Sequence, residues 1–149
     1  MKELWQLCGI VVFWLSWPAL WIYLRGTKRT RVIVTAGDKV LLVKGWLGAG
    51  QWILPGGGTH RGENPLKAAV REVLEETGIK LDPVSLKTLD TMEVREYGFR
   101  FTCVIYVADL KDAPALKPQP LEITEVAWVS RSDLANLSPL TSRLLAEWS

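Results

Sequence analysis

The amino-acid sequence predicts an α/β domain, in which a mixed β-sheet lies between helices, preceded by one transmembrane helix. Residues 4–24 contain no Lys, Arg, Asp, Glu or His, and an apolar run of this length can cross the core of a bilayer as a helix. Residues 31–148 read as strands, helix, strands and helix, an order that is typical of a sheet covered by helices. The chain of 149 residues has room for one such domain after the anchor.

The apolar run of residues 4–24 has the composition of a membrane span. Trp5 lies near one end and Trp21 and Tyr23 near the other, where aromatic side chains favour the membrane interfaces. Pro18 predicts only a local kink, which membrane helices tolerate. A cleaved signal peptide and a buried core helix are the competing interpretations. A signal peptide would be shorter and would end in small residues rather than in RGTKRTR, and a buried helix is seldom apolar on every face.

Positive charge after the run predicts its orientation. Lys2 and Glu3 cancel before the run, and four basic residues follow it: Arg25, Lys28, Arg29 and Arg31. The positive-inside rule therefore predicts that the rest of the chain lies on the cytoplasmic side of a membrane. Residues 1–31 hold five basic and one acidic residue, whereas the remainder holds thirteen basic and fifteen acidic residues. The overall charge of +2 is thus a membrane-flank effect, and no nucleic acid polymer is expected as a partner.

The strands are predicted from runs of β-branched and aromatic residues that are bounded by turn residues. In chain order they are RVIVTA (31–36), KVLLVK (39–44), QWIL (51–54), VSLKTLDTMEVRE (84–96), FRFTCVIYVADL (99–110) and ITEVAWVS (123–130). Gly37 and Asp38 predict a tight hairpin between the first two strands. Tyr97-Gly98 separates the two longer strands, and residues 111–120 are expected to form a flexible stretch.

Two helices are predicted, one before the two longer strands in the chain and one after them. The first covers residues 65–77, because Asn64-Pro65 can cap and begin it and Gly78 can end it. The second follows Ser138-Pro139 and covers residues 140–148. The apolar stripe of the first helix contains Leu66, Ala69, Val70, Val73 and Leu74, and that of the second contains Leu140, Leu144, Leu145 and Trp148.

Three glutamates near the end of the first predicted helix indicate a metal site. Glu72, Glu75 and Glu76 are three and four residues apart, so their carboxylates project from one side, opposite the apolar stripe. The repulsion of an i,i+4 pair destabilises a helix by a few tenths of a kcal/mol, and a bound divalent cation reverses that effect. Carboxylate oxygens suit Mg2+ or Mn2+. A solvated acidic face is the competing interpretation of the glutamates alone.

The spacing around these glutamates is more specific than their number. Gly57 is followed after five residues by Glu63, after seven more by Arg71-Glu72-Val73, and then by Glu75-Glu76 and Gly78-Ile79. This pattern resembles the Nudix box of the Nudix hydrolase family at every defined position. The resemblance extends through WILPGG and ITEVAWVSRSDL and covers about residues 30–149. We therefore divide the chain into an anchor with its basic flank, residues 1–29, and a Nudix hydrolase domain, residues 30–149.

The resemblance implies a Nudix-type α/β/α sandwich that hydrolyses a diphosphate linkage with Mg2+, with Mn2+ as the alternative ion. By resemblance the metal ligands are Glu72, Glu75 and Glu76, of which Glu72 and Glu76 are the preferred pair. Arg71 is expected to pair with one of these carboxylates and to hold its rotamer. Glu63 is expected to give a water-mediated ligand or a capping contact. Gly57 allows a close approach of the backbone and could offer its carbonyl as a ligand.

The general base is left open between two regions of the chain. Glu76 is the first choice, and Glu122, in a later loop, is the alternative as base or extra ligand. Glu125 is the less favoured member of that later pair because it belongs to a predicted strand. His60 is a candidate for a phosphate contact or proton transfer, although a single loop histidine is usually only exposed.

Three functions remain open from the sequence. The first is a Mg2+-dependent pyrophosphohydrolase that cleaves a nucleoside diphosphate derivative at the cytosolic face of a membrane. The second is a membrane-anchored Nudix-like sensor that binds a nucleotide or metabolite without hydrolysis. The third is a hydrolase of a lipid-linked diphosphate. The substrate, the role of the anchor and the oligomeric state are not fixed by the sequence.

Overall fold

The computed structural model describes residues 28–46, 49–96, 99–118 and 123–148. Within these four ranges no helix is both long and apolar enough to span a bilayer. The transmembrane helix predicted over residues 4–24 lies outside them, as does Glu122. The elements of the described part are β1 (Lys28–Ala36), β2 (Lys39–Gly45), α1 (Pro65–Thr77), β3 (Lys87–Glu96), β4 (Phe99–Leu110), β5 (Ile123–Ser130) and α2 (Pro139–Trp148), with short 3-10 turns at Pro83–Ser85 and Arg131–Asp133.

The five strands form one mixed sheet with the order β3-β4-β1-β2-β5. β1 and β4 run parallel, and the other neighbours are antiparallel. Each helix covers one face of the sheet. Alternate residues of β1 point to opposite faces and so belong to different apolar clusters. Val32 and Val34 pack with Val73 of α1, whereas Ile33 packs with Leu144 of α2. The predicted sandwich of a mixed sheet between helices is confirmed.

The helix α1 has the bounds that the sequence predicts, because both ends are determined locally. The Asn64 side-chain oxygen accepts a hydrogen bond from the Leu66 N–H at 2.8 Å. At the other end Gly78 adopts a left-handed φ of 78° and donates its N–H to the Leu74 carbonyl. The prediction is wrong for one residue of the apolar stripe. Leu74 is 40% exposed, so the buried stripe of α1 is narrower than the sequence pattern indicates.

Two strand starts differ from the prediction, that of β1 because of a distant strand and that of β3 because of a local turn. β1 begins at Lys28 rather than at residue 31, because its first residues pair in parallel with β4, starting with Lys28 opposite Thr102. β3 begins at Lys87 rather than at residue 84, because the Asp82 carboxylate caps a 3-10 turn by accepting from the Val84 N–H at 3.0 Å. The predicted strand at 51–54 forms only isolated bridges at Trp52 and Ile53.

The strands β1 and β2 separate from one another, and the glycine-rich segment fills the gap. They pair directly only beside the hairpin turn, at Thr35–Val40 and Ala36–Lys39. Beyond that point the facing backbone groups need other partners, since buried N–H and C=O groups are almost always hydrogen-bonded. They find them in the segment 53–59: Thr30 N–H donates to Gly57 O at 2.8 Å, Val32 N–H to Pro55 O at 2.9 Å, and Val43 and Ile53 exchange a pair at 2.9 Å. The loop before α1 is thereby fixed to the sheet.

Candidate active site

The acidic side of α1 faces the glycine-rich loop because the opposite side is buried against the sheet. Ala69 and Val73 are fully buried in the cluster that also contains Val32 and Val34. Glu72 and Glu76 therefore lie toward the loop 56–58, which the sheet holds in place. Glu72 is 13% exposed, whereas the carboxylate of Glu75 is 45% exposed and lies at the solvent edge of the group.

The acidic cluster is defined here as Glu63, Glu72, Glu75 and Glu76, and the guanidinium of Arg71 binds the first three of them. Its Nε and Nη2 each donate to one Glu63 oxygen at 3.0 Å. This bidentate contact is among the stronger ion-pair geometries. Its Nη1 donates to Glu72 at 2.8 Å and to Glu75 at 3.1 Å. Nη2 also donates to the Gly58 carbonyl at 3.1 Å. One arginine thus ties the helix to the loop.

These contacts shift the acidity of both partners. The hydrogen bonds from Arg71 are the main reason that the pKa of Glu63 falls from 4.5 to about 2, although partial burial opposes the shift. The pKa of Arg71 is raised, first by the hydrogen bond to Glu63 and then by Glu72. Glu63 therefore carries a full negative charge at any physiological pH.

The loop contacts the two preferred metal ligands through its backbone. The Gly56 N–H donates to Glu76 Oε2 at 2.8 Å. A Cβ added to Gly57 would lie 2.6 Å from the carboxyl carbon of Glu72, so this glycine makes room for that carboxylate. The Gly57 carbonyl accepts from the Thr30 N–H at 2.8 Å and lies 3.4 Å from Thr30 Oγ1. Its predicted role as a metal ligand remains a prediction.

The chemistry of the acidic cluster fits a divalent cation. Arg71 binds three of the four glutamates, which leaves negative charge in excess, and all the available ligand atoms are hard oxygens. The space beside Gly57 lets the backbone approach Glu72. In the part of the chain that the structure describes, no three His, Cys, Asp or Glu side chains already meet around one point. Glu72 and Glu76, on the loop side, are the residues that would hold the ion.

The remaining predicted residues lie at different distances from this cluster. The His60 side chain is 72% exposed, and its Nδ1 lies 3.8 Å from Glu63 Oε2. Its backbone N–H donates to the same carboxylate at 2.8 Å. Glu125 forms an ion pair with Lys44 at 2.7 Å across β2 and β5, and Lys44 also covers the ring of Trp52 at 4.1 Å. Glu122 lies outside the described residues, so its role stays a prediction.

Arg31 is a residue of this region whose position the sequence analysis did not foresee. Its charge suggested a membrane flank, yet Arg31 is only 8% exposed and its Nη1 donates to the Gly56 carbonyl. The signal that could have found it is the alternation of β1, because Arg31 shares a face with the buried Ile33 two residues later. Lys28 and Arg29 also belong to β1, so three of the four residues assigned to the flank are part of the folded domain.

The comparison with protein families agrees with this geometry. The NUDIX domain profile matches residues 26–148 of the chain. The chain belongs to the Nudix hydrolase family. Among relatives, it is 31% identical over 137 residues to Nudix hydrolase 10 of Arabidopsis thaliana, which covers 90% of this chain and 48% of that protein. The chain therefore spans about half the length of this curated relative.

Solved Nudix structures share the fold. The MutT NUDIX hydrolase from Burkholderia pseudomallei superposes with a TM-score of 0.74 at 23% identity, covering 84% of this chain and 99% of that one. The NUDIX domain of Shewanella oneidensis NrtR, solved in complex with ADP ribose, also gives 0.74 at 21% identity and covers 83% and 86%. At these identities the likeness shows the fold alone: the sheet and both helices of this chain have the Nudix arrangement.

A pair of adjacent glycines tests the geometry of the Nudix site. We expect Gly57→Ala to displace the Glu72 carboxylate and to weaken Mn2+ binding about 10- to 100-fold, the usual effect of disturbing a ligand's support. Gly58→Ala is the matched control, since a Cβ there meets nothing within 4 Å, and we expect a change of less than about threefold. Manganese titration followed by electron paramagnetic resonance measures both. Equal losses in the two variants would contradict the proposed contact.

Glu63 makes the stability of the metal-free protein depend on pH. Its folded-state pKa of about 2 lies below the ordinary 4.5, so the unfolded chain takes up the proton first as the pH falls. The stabilisation is therefore complete above about pH 4.5 and is lost as the pH falls toward about 2. We expect the difference in unfolding free energy between the wild type and Glu63→Gln to shrink over that range, as measured by urea denaturation with EDTA.

The control for this titration is Glu147→Gln, which removes an exposed ion pair with Arg143 on α2. Exposed pairs contribute little, so we expect only a small difference from the wild type at every pH. If the difference between the wild type and Glu63→Gln stayed constant from neutral pH to pH 3, the ionised Glu63 would not be the stabilising form.

Proposed function

We propose that this Nudix protein is a Mg2+-dependent pyrophosphohydrolase that cleaves the diphosphate linkage of a nucleoside diphosphate derivative. The observation that supports this proposal is the acidic cluster on α1, with Glu72 packed on Gly57 and Glu76 bonded to the Gly56 N–H. A binding protein could hold an anionic ligand with cations alone. Four glutamates on one patch repel a phosphate unless a metal ion lies between them, which favours a metal-assisted reaction.

Each residue of the cluster has a separate task in this proposal. When bound, Mg2+ or Mn2+ neutralises phosphate charge and makes an attacking water more acidic. Glu72, Glu75 and Glu76 would hold the ion. Glu76 would accept the proton of the attacking water, whose oxygen bonds to phosphorus while the bridging P–O bond breaks and its oxygen leaves with the departing group. Arg71 fixes the rotamers of Glu63 and Glu72 through the hydrogen bonds described above. Glu122 is the alternative base.

The substrate class is proposed from chemistry and from a neighbour. The NUDIX domain of the Shewanella protein was solved with ADP ribose, a nucleoside diphosphate derivative, and that observation belongs to that protein. In this chain the aromatic candidates for a base are Trp46 and Trp52, but Lys44 already covers the Trp52 ring. Trp46, half-buried where β2 ends, is therefore the better candidate for stacking on a nucleobase.

The test of the hydrolase proposal compares the full-length wild type with Glu76→Gln. The panel contains nucleoside triphosphates, oxidised nucleotides, nucleotide sugars, dinucleoside polyphosphates and a prenyl diphosphate, each with Mg2+ and with chelator. We expect Mg2+-dependent release of phosphate or pyrophosphate from a nucleoside compound, reduced about a hundredfold or more in Glu76→Gln. Glu147→Gln, on the exposed face of α2, should retain wild-type activity.

The two alternatives give different results in the same panel. If compounds bind but none is cleaved, the protein is a sensor and the hydrolase proposal fails. If the prenyl diphosphate alone is cleaved, the substrate is a lipid-linked diphosphate. A rate that chelator leaves unchanged would show that the acidic cluster does not work through a metal.

We further propose that residues 4–24 anchor the domain at the cytosolic face of a membrane, which the uncharged composition of this run supports. Because Arg31 is buried in β1, it adds no charge at a membrane surface, and the orientation depends on Arg25, Lys28 and Arg29. We expect the full chain to stay in the membrane fraction after an alkaline carbonate wash. A chain without residues 1–24 should be released, and release of the full chain would contradict the anchor.

A further inference from the structure

The buried guanidinium of Arg31 has an unusual position for a charged side chain. It lies on the same face of β1 as Ile33, in a strand whose neighbouring positions are fully buried. Removing a cation from water is unfavourable unless it gains good partners. None of the ion pairs among the described residues includes Arg31, and its hydrogen bonds there go to the backbone carbonyls of Gly56 and Thr30. An apolar side chain would cost less at this position, so the contact with Gly56 requires an explanation.

The bond to Gly56 completes the attachment of the loop to β1. The backbone N–H groups of Val32 and Thr30 bind the carbonyls of Pro55 and Gly57. The carbonyl between them, that of Gly56, is bound instead by the Arg31 side chain. Three consecutive carbonyls of the loop are therefore held by three consecutive residues of one strand.

The same glycine also contacts the acidic cluster. The Gly56 N–H donates to Glu76 Oε2 at 2.8 Å, so one residue is held by Arg31 through its C=O and holds Glu76 through its N–H. Gly56 has a φ of 137°, which side-chain-bearing residues rarely adopt, and a Cβ there would overlap the Thr30 carbonyl. Because glycine can also adopt many other φ and ψ values, the contacts of Gly56 determine which conformation it takes.

We propose that Arg31 is a positioning residue that orients Glu76 by limiting rotation about the φ and ψ angles of Gly56. Arg31 acts through the loop and does not touch the reacting atoms. It binds the Gly56 C=O, while Val32 binds the Pro55 C=O of the preceding peptide, which carries the N–H that donates to Glu76. Loss of the Arg31 hydrogen bond frees the second of these peptides, so the conformation of Gly56 changes, its N–H no longer has a fixed direction, and the Glu76 carboxylate samples other rotamers. The inference rests on the proposed hydrolase for its kinetic test, but its structural part does not depend on activity.

The structural test follows the amide signal of Gly56 in the full-length chain labelled with 15N-glycine, without metal. Glu76→Gln identifies the signal, because the charge of its acceptor is removed. We expect Arg31→Met, which keeps an apolar stem and loses the donors, to shift this signal in the same direction as Glu76→Gln does. Arg31→Lys, which can still donate to the Gly56 carbonyl, should leave it near its wild-type position. An unchanged Gly56 signal in a folded Arg31→Met protein would overturn the proposal.

The kinetic test is a double-mutant cycle between Arg31→Met and Glu76→Gln. Alone, Arg31→Met should lower kcat about 10- to 100-fold and change KM less than about threefold, as expected for lost support of a catalytic group. In the Glu76→Gln background the same substitution should lower kcat less than about threefold, because residues that act through one another are not additive. Arg31→Lys should restore most of the lost activity.

Two further results would decide against this role. Arg29 lies on the same face of β1 but covers the ring of Phe101 at 4.8 Å, so Arg29→Met removes a nearby positive charge and leaves the Gly56 bond. An equal loss of kcat in Arg29→Met, or additive losses in the cycle, would show that charge or general stability matters rather than Gly56. If the wild type itself hydrolyses nothing, the hydrolase proposal fails while the amide signal still tests the positioning of Glu76.

Discussion

Repulsion among four carboxylates is the constraint that the rest of this site must satisfy. Glu72, Glu75 and Glu76 share one side of α1, and Glu63 is brought to the same place by the turn before the helix. Arg71 offsets part of the repulsion by binding Glu63, Glu72 and Glu75 at once. The helix alone could not hold such a group, since its carboxyl end is itself negative. The site is stable because an arginine and a fixed loop lie on the side that faces away from the apolar core.

The fixed loop in turn depends on the separation of β1 from β2. If the two strands had paired along their full length, no edge would remain for the segment 53–59. Their divergence after the hairpin turn lets this segment bond to both strands. The glycines are needed for the same reason: Gly56 lies against the Thr30 carbonyl and Gly57 against Glu72. Sheet geometry and active-site geometry are therefore one arrangement.

The sequence predicted those parts whose causes are local. The bounds of α1 follow from Asn64 and Gly78, and the contact of Arg71 with Glu72 was expected from the Nudix box. The stronger contact of Arg71 with Glu63, for which a water-mediated ligand or a capping contact was expected, was not predicted. The parallel pairing of β1 with β4 joins residues 74 apart, as with Thr35 and Asp109, and no local pattern specifies it. The start of β1 depends on that pairing, which is why it was missed, whereas the alternation of β1 could have indicated the burial of Arg31. The structure does not describe residues 1–27 or 119–122, so the anchor and the role of Glu122 stay predictions.

The attachment of the loop to β1 also bears on the order in which the domain folds. The helix α1 has its own caps and can form early, because its contacts are close in sequence. The loop contacts of Thr30 and Arg31 require a strand whose other edge pairs with β4, and contacts between distant residues form slowly because a long loop must close first. A chain emerging from the ribosome can thus sample the Nudix helix before it has an ordered glycine loop. The contacts that fix this loop to β1, and through it Glu72 and Glu76, come later in folding than the helix.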